Sequence, residues 1–380
     1  MAKTHHFKVG NGDMALIELE SGRRILVDIN IRVAGDDEAD DTPDVAAQLR
    51  DLLSPDSAGR LFVDAFLLTH PDADHIRGLE RHFHLGPLSG YVDEDEKILI
   101  REMWSSPLIF RRRREDDVLS EDAHAWNCEA RRRVNLFKAN GFLGDGDRII
   151  VLGEDVDDKT NGLEGILVRA GERFAAIDGI EDDIFDALLL APRLVEDQEE
   201  ANILSKNNSS VVIQMRIGAG GKDDAAYVLF GGDAEVVIWE RLWATFKDTP
   251  DNLAYDILIA PHHCSWHSLS CDSWSQCGED AKVSVEARTA LAQGRAGAMI
   301  VASSCPIQDD DRDPPCVRAK REYLDIAKGF SGEFKCIGEL DGIDPLVFEI
   351  GRNGPKLKRV ALSSTAAVNT GVGTEALAHG

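Results

Sequence analysis

The sequence predicts an α/β protein, and three observations carry that prediction. Apolar segments of strand length recur along the chain, among them Leu61 to Leu68, Ser210 to Met215, Ala226 to Phe230, Asp256 to Ala260 and Ala298 to Ala302. Ala234 to Phe246 places apolar residues at helical spacing between two of them. Several of the strands stop at residues that bind metals or make hydrogen bonds, and strand ends are where α/β architectures gather function.

Met14 to Glu20 alternates as a strand, Ser21-Gly22 supplies turn chemistry, and Arg23 to Ile29 forms the second arm of a hairpin with Asp28 near its end. The approach to the hairpin, Val9-Gly10-Asn11-Gly12-Asp13, lacks the lysine and spacing of a phosphate-binding loop and reads as a tight turn near the site. Gly35 to Asp44 is acidic and reads as exposed; Val45 to Leu53 and Ala73 to Phe83 read as helices. Residues 85 to 200 are the least regular third, with a helix expected over Glu121 to Asn140 and a strand over Asp147 to Leu152. Their arginine runs, Arg111 to Arg114 and Arg131 to Arg133, read as solvated helix faces in preference to a ligand-binding patch. A glycine-rich loop, Ile217 to Asp224, is expected between two later strands, and Arg318 to Phe330 reads as a closing helix. Residues 1 to 360 are expected to form one domain with an inserted, mostly helical middle segment at about 85 to 200, followed by a disordered tail over residues 361 to 380.

A chain of 380 residues buries a full core. No stretch approaches the roughly 20 apolar residues of a membrane span, and the start lacks the apolar core of a signal peptide, so a cytoplasmic location and no membrane partner are expected. Seven scattered cysteines without a Cys-x-x-Cys pair fit free thiols better than a disulfide framework or a zinc ribbon. The net charge of -26 argues against loose, sequence-independent nucleic-acid binding.

The chemistry centres on Thr69-His70-Pro71-Asp72-Ala73-Asp74-His75-Ile76-Arg77-Gly78, where an apolar strand ends in two histidines and two aspartates. Imidazole and carboxylate in one turn suit zinc, manganese or iron. The competing reading is a solvated turn whose aspartates cap the following helix. Further strands end at Asp28, Asp233, His262 with His263, and Ser303 with Ser304, and five such endings weigh against chance. Ser265 and His267 are candidates to position substrate or shuttle a proton, with a polar loop as the equally weighted alternative. Cys264 reads as a small loop residue, and His5, His6, His82 and His84 as surface or core histidines.

Thr69-His70-Pro71-Asp72-Ala73-Asp74-His75 with Gly78, then Gly232-Asp233, then Pro261-His262-His263, resembles in content and order the metallo-β-lactamase superfamily of hydrolases. The nearer resemblance is to the soluble hydrolase domain of bacterial competence DNA-uptake proteins, which is similar in carrying aspartate at the position of Asp72 and in opening like Val9 to Asp13 before a hairpin that ends in aspartate. It covers roughly residues 5 to 80 and 205 to 320. The resemblance implies a four-layer αββα sandwich in which His70 and Asp72 hold one divalent ion, Asp74, His75 and one of His262 or His263 hold a second, and Asp233 bridges them. It further implies a metal-dependent hydrolase, a phosphodiesterase or nuclease using a metal-activated water, with Asp74 and Asp233 as catalytic residues, to which the loop reading above adds His267. A small nucleotide or cyclic nucleotide is the alternative substrate, and a binding or regulatory protein with an impaired metal site the alternative class. Family members commonly add a histidine before the glycine-aspartate pair, whereas this chain has none between His124 and His262. Asn207 or Asn208 stands near that place, and an amide oxygen there makes manganese competitive with zinc.

Overall fold

The computed structural model describes residues 1–37, 39–107, 119–154, 159–193 and 209–358. Two large sheets form the centre. The first runs in the order Gly354–Leu357, Leu346–Gly351, Ala2–His6, Ala15–Glu18, Arg24–Val27, Phe62–Leu68, Leu99–Ser105, Arg148–Leu152 and Leu167–Val168. The second runs Glu333–Cys336, Gly294–Ala302, Tyr255–Ile259, Lys222–Phe230, Val212–Ala219, Phe185–Ala191 and Arg173–Phe174. In both, antiparallel hairpins occupy one half and parallel strands the other: Arg24–Val27, Phe62–Leu68 and Leu99–Ser105 are parallel, as are Lys222–Phe230, Tyr255–Ile259 and Gly294–Ala302.

Strands buried on both faces read as continuous apolar runs, which is why Leu61 to Leu68 and Asp256 to Ala260 are nearly unbroken. Within them the faces still separate. Ile25, Val27, Ala65 and Leu67 meet Ile213, Met215, Ile257 and Ile259 in a core between the sheets. Leu26, Phe66 and Leu68 face the opposite way, against the helices Val45–Leu52 and Glu121–Asn140. Leu229, Leu258 and Ile300 likewise face the helices Val236–Phe246, Val285–Leu291 and Val317–Gly329. The three cores therefore alternate helices, sheet, sheet and helices.

The helix expected over Ala73 to Phe83 is two single turns, Ala73–Ile76 and Leu79–His82. Gly78 breaks it with φ 94°, and a side chain there would meet Ile31 Cβ at 2.8 Å. The expected Ile217 to Asp224 loop is a tight Gly220-Gly221 turn between strands that extend to Ala219 and from Lys222. The middle segment also differs from expectation. One long helix is present, but Leu99–Ser105, Arg148–Leu152 and Leu167–Val168 complete the first sheet and Phe185–Ala191 with Arg173–Phe174 the second. It is neither mostly helical in its described part nor set apart as an insertion: Leu99–Ser105 and Arg148–Leu152 pair in parallel in the first sheet with no apolar alternation to reveal them, and Phe185–Ala191 pairs antiparallel in the second.

Arg133, in the second arginine run, is buried, not solvated. It donates to Glu129 Oε1 at 2.7 Å and to the carbonyls of Arg148 and Ile100 at 2.9 and 3.1 Å, tying the helix to two strands. Arg111 to Arg114, Asn207, Asn208 and the 361 to 380 tail lie outside the described residues. No helix among the described residues is long and apolar enough to cross a membrane.

Candidate metal centre

The parallel strands of both sheets deliver their carboxyl ends to one edge. Asp28 follows Arg24–Val27, and Thr69 and His70 follow Phe62–Leu68; from the other sheet, Asp233 follows Lys222–Phe230, and His262 and His263 follow Tyr255–Ile259. The sheets are stitched there by Val211 N–H donating to the Thr69 carbonyl at 2.9 Å. The backbone is strained at this edge. Asp28, His262, His263 and Cys264 all have φ between 50° and 69°, a left-handed conformation that non-glycine residues adopt at a cost of about 1–2 kcal/mol each. Three in succession turn both tandem imidazoles toward Asp233.

Asp233 organises the cluster through its two oxygens. Oδ1 lies 3.1 Å from His75 Nε2 and 3.5 Å from His263 Nε2; Oδ2 lies 3.4 Å from His70 Nε2 and 3.7 Å from His262 Nε2. Asp74 approaches His263 Nε2 at 3.5 Å, and Asp72 approaches His70 Nε2 at 3.9 Å. His75 and His263 face each other at 3.2 Å between their Nε2 atoms. All seven residues expected as metal ligands are thus brought together. The tandem histidines stand on opposite oxygens of one carboxylate, and of the two His263 belongs to the group of donor atoms close enough to hold one metal ion. Asp72 precedes the Ala73–Ile76 turn without capping it, against the capping alternative.

Two residues join that were not expected as ligands or supports. Asp13 lies 3.7 Å from His263 Nδ1, and Asp13, His75, Asp233 and His263 each offer a donor atom within 4.8 Å of the others. Its loop is held by Asn30 Nδ2 donating to the Asn11 carbonyl at 2.9 Å and Ser303 Oγ donating to the Gly12 carbonyl at 2.6 Å. Gly12 is required: a Cβ there would sit 2.6 Å from the Asp74 carbonyl oxygen. Asp28 supports from behind, accepting from Thr69 N–H at 2.7 Å, Thr69 Oγ1 at 2.6 Å and His75 Nδ1 at 2.7 Å. The last bond fixes the ring and leaves His75 Nε2 to face Asp233, as a carboxylate behind a metal-binding histidine does. The Gly-Asn-Gly-Asp approach and the strand-end Asp28 were the visible signals, without the spacing of a known ligand motif.

His267 is not part of the cluster. It sits on the Trp266–Ser268 turn, half exposed, with Nε2 3.9 Å from Asp313. A polar loop therefore describes it better than proton transfer at the centre.

Burial pushes the Asp13 carboxyl up to about 6 against the pull of His263 and His75. Burial also pushes His75 and His263 down, but Asp233, with Asp28 on the first and Asp74 on the second, outweighs it and raises both. Asp233 is driven well below the carboxylate range because His75, His263 and His70 outweigh its burial. Asp74 ends below that range too, its burial outweighed by His263 and His75, while burial lowers His262. The raised His75 and His263 imidazoles thus face the lowered Asp233 and Asp74 carboxylates.

Asp13 Oδ1, His70 Nε2, Asp233 Oδ1 and His263 Nδ1 are buried and make no well-aligned hydrogen bond among the described residues. Buried polar atoms of that kind call for a partner, and an N/O set of imidazole and carboxylate is one a divalent cation satisfies. Asp13, His75, Asp233 and His263 can hold a metal ion. The side chains of Asp72 and Asp74, 27% and 36% exposed, mark the open side. No protein-family model and no curated protein matches the sequence.

Proposed function

We propose that the chain is a metal-dependent hydrolase of the metallo-β-lactamase type that cleaves a phosphodiester with two divalent ions, zinc or manganese. The observation that carries this reading is the division of donors about Asp233: His70, His262 and Asp72 on the Oδ2 side, His75, His263 and Asp74 on the Oδ1 side. Charge is consistent with cations there: Asp13, Asp28, Asp72, Asp74 and Asp233 gather five carboxylates at the centre, an excess that one divalent ion leaves largely unbalanced. His262 also supplies an imidazole on the side where the sequence lacks the customary histidine.

Two bound ions supply an activated water and neutralise charge developing on oxygen. The chain's own residues fix the geometry. Asp28 holds His75 by its Nδ1 proton, and the left-handed turn holds His262 and His263. Asp72 and Asp74 face the open side, where their charges repel an anionic substrate until cations offset them. Asp74, whose side chain is 36% exposed and whose Oδ2 lies 3.5 Å from His263 Nε2, would orient a water at that mouth. The chain's charge of -26 favours a small nucleotide or cyclic nucleotide over a long nucleic acid.

Metal content per chain, with turnover of bis(p-nitrophenyl) phosphate in added manganese or zinc, tests the reading. Two ions and turnover are expected, and Asp233→Ala should lose both while remaining folded. A chain that binds no metal and turns over no phosphodiester refutes it.

A further inference from the structure

We infer that Ser210 is a positioning residue for the metal pair: its hydroxyl fixes Asp233 so that both carboxylate oxygens serve ions at once. This rests on the two-ion hydrolase reading. Ser210 is buried and stands two residues before the strand Val212–Ala219. Its Oγ accepts from the Asp233 N–H at 3.2 Å, while its neighbour Val211 donates to the Thr69 carbonyl at 2.9 Å. Two adjacent residues thus tie the bridging carboxylate to the strand end that carries His70. Thr69 is itself held by Asp28 through its N–H and Oγ1, and Asp28 holds His75, whose Nε2 lies 3.1 Å from Asp233 Oδ1. The contacts close a ring, from Asp233 through Ser210, Val211, Thr69, Asp28 and His75 back to Asp233, and the ring crosses the seam between the sheets twice.

Gly232 fits this ring closely. It is left-handed at φ 49°, and a Cβ there would lie 2.9 Å from Ser210 Cβ and 3.2 Å from Thr69 Cβ. Its carbonyl accepts from the His262 N–H at 2.9 Å, so the same turn also sets the tandem histidines. Without the Ser210 hydroxyl the Asp233 N–H is a buried donor that has lost this partner, and the turn moves to recover one. Because Oδ1 faces His75 and His263 while Oδ2 faces His70 and His262, any rotation of the carboxylate acts on both sides of the centre.

The test is titration of the metal-free full chain with manganese, followed by calorimetry and by the exchange-coupled electron paramagnetic resonance signal of a manganese pair. Wild type should bind two ions. Ser210→Ala should still melt cooperatively and bind both ions about tenfold more weakly, so that the coupled signal appears only at about tenfold more manganese. Arg133→Met is the control, since Arg133 ties down Ile100 and Arg148 at the starting ends of their strands, away from the centre. It should lower melting and leave both affinities within about twofold of wild type. A Ser210→Ala chain that weakens one ion or neither, that no longer melts cooperatively, or whose losses Arg133→Met reproduces, overturns the role of Ser210 alone. A wild type that binds fewer than two ions overturns the two-ion reading, and the role of Ser210 with it.

Discussion

Asp28→Asn removes one charge and one acceptor from behind the metal cluster while leaving its shape. Asp28 Oδ1 takes the Thr69 N–H at 2.7 Å, and Oδ2 takes the Thr69 hydroxyl at 2.6 Å and His75 Nδ1 at 2.7 Å. Asparagine keeps one oxygen, so its amide NH2 must point at one of these donors. The left-handed φ of 51° adds no penalty, because asparagine visits that region readily. Whichever way the amide turns, one buried donor loses a charge-assisted bond, which costs about 2 kcal/mol of stability. His75 also loses the carboxylate that sets its orientation and basicity, and such losses weaken metal binding by about 10- to 100-fold. Zinc affinity from competition with a chromophoric chelator, read with thermal unfolding of the metal-free chain, measures both effects. Zinc affinity within twofold of wild type would refute the role assigned to Asp28.

Three further outcomes follow from the same geometry. The raised values of His75 and His263 mean that the metal-free folded chain holds protons the unfolded chain releases above their ordinary value of 6.5. Its melting temperature should therefore fall as pH rises above 6.5, and bound metal, which displaces those protons, should remove the slope; a flat metal-free profile contradicts the scheme. Gly12→Ala drives a Cβ to 2.2 Å from Asn30 Nδ2 and 2.6 Å from the Asp74 carbonyl oxygen. It should cost about 1–3 kcal/mol and lower metal content, and an unchanged melting curve with full metal content would show that the loop yields freely. Arg133→Met leaves the carbonyls of Ile100 and Arg148 unpaired and should cost about 3 kcal/mol, against about 1 for the more exposed Arg132→Met. Equal losses in urea unfolding would argue against the buried clamp.

The strand endings were legible because each central strand is an apolar run cut off by a polar residue, as at Leu68-Thr69-His70 and Ile259-Ala260-Pro261-His262. Sequence gives no sign of which oxygen of a carboxylate a neighbour will meet, so the placing of His262 and His263 on either side of Asp233 required the folded backbone. Asp13 was hidden for a different reason. It reaches the cluster through a loop fixed by Asn30 and Ser303, contacts spanning 19 and 291 positions. The middle segment misled because its strands are spread over both sheets, Leu99–Ser105 and Arg148–Leu152 pairing in parallel in the first and Phe185–Ala191 antiparallel in the second. His267 had the right residue type, but the short turn that carries it points it to Asp313 instead.

The seam between the sheets has a consequence for how the molecule matures. Asp13, His70 and His75 come from the first sheet's connections, and Asp233, His262 and His263 from the second's, so neither half owns a centre. A cation at a thousand times its dissociation constant adds about 4 kcal/mol to the folded state. It grants this only to a chain whose halves have already met in register. A truncated or half-assembled chain would gain nothing, so a metal held at this centre would favour completed molecules alone.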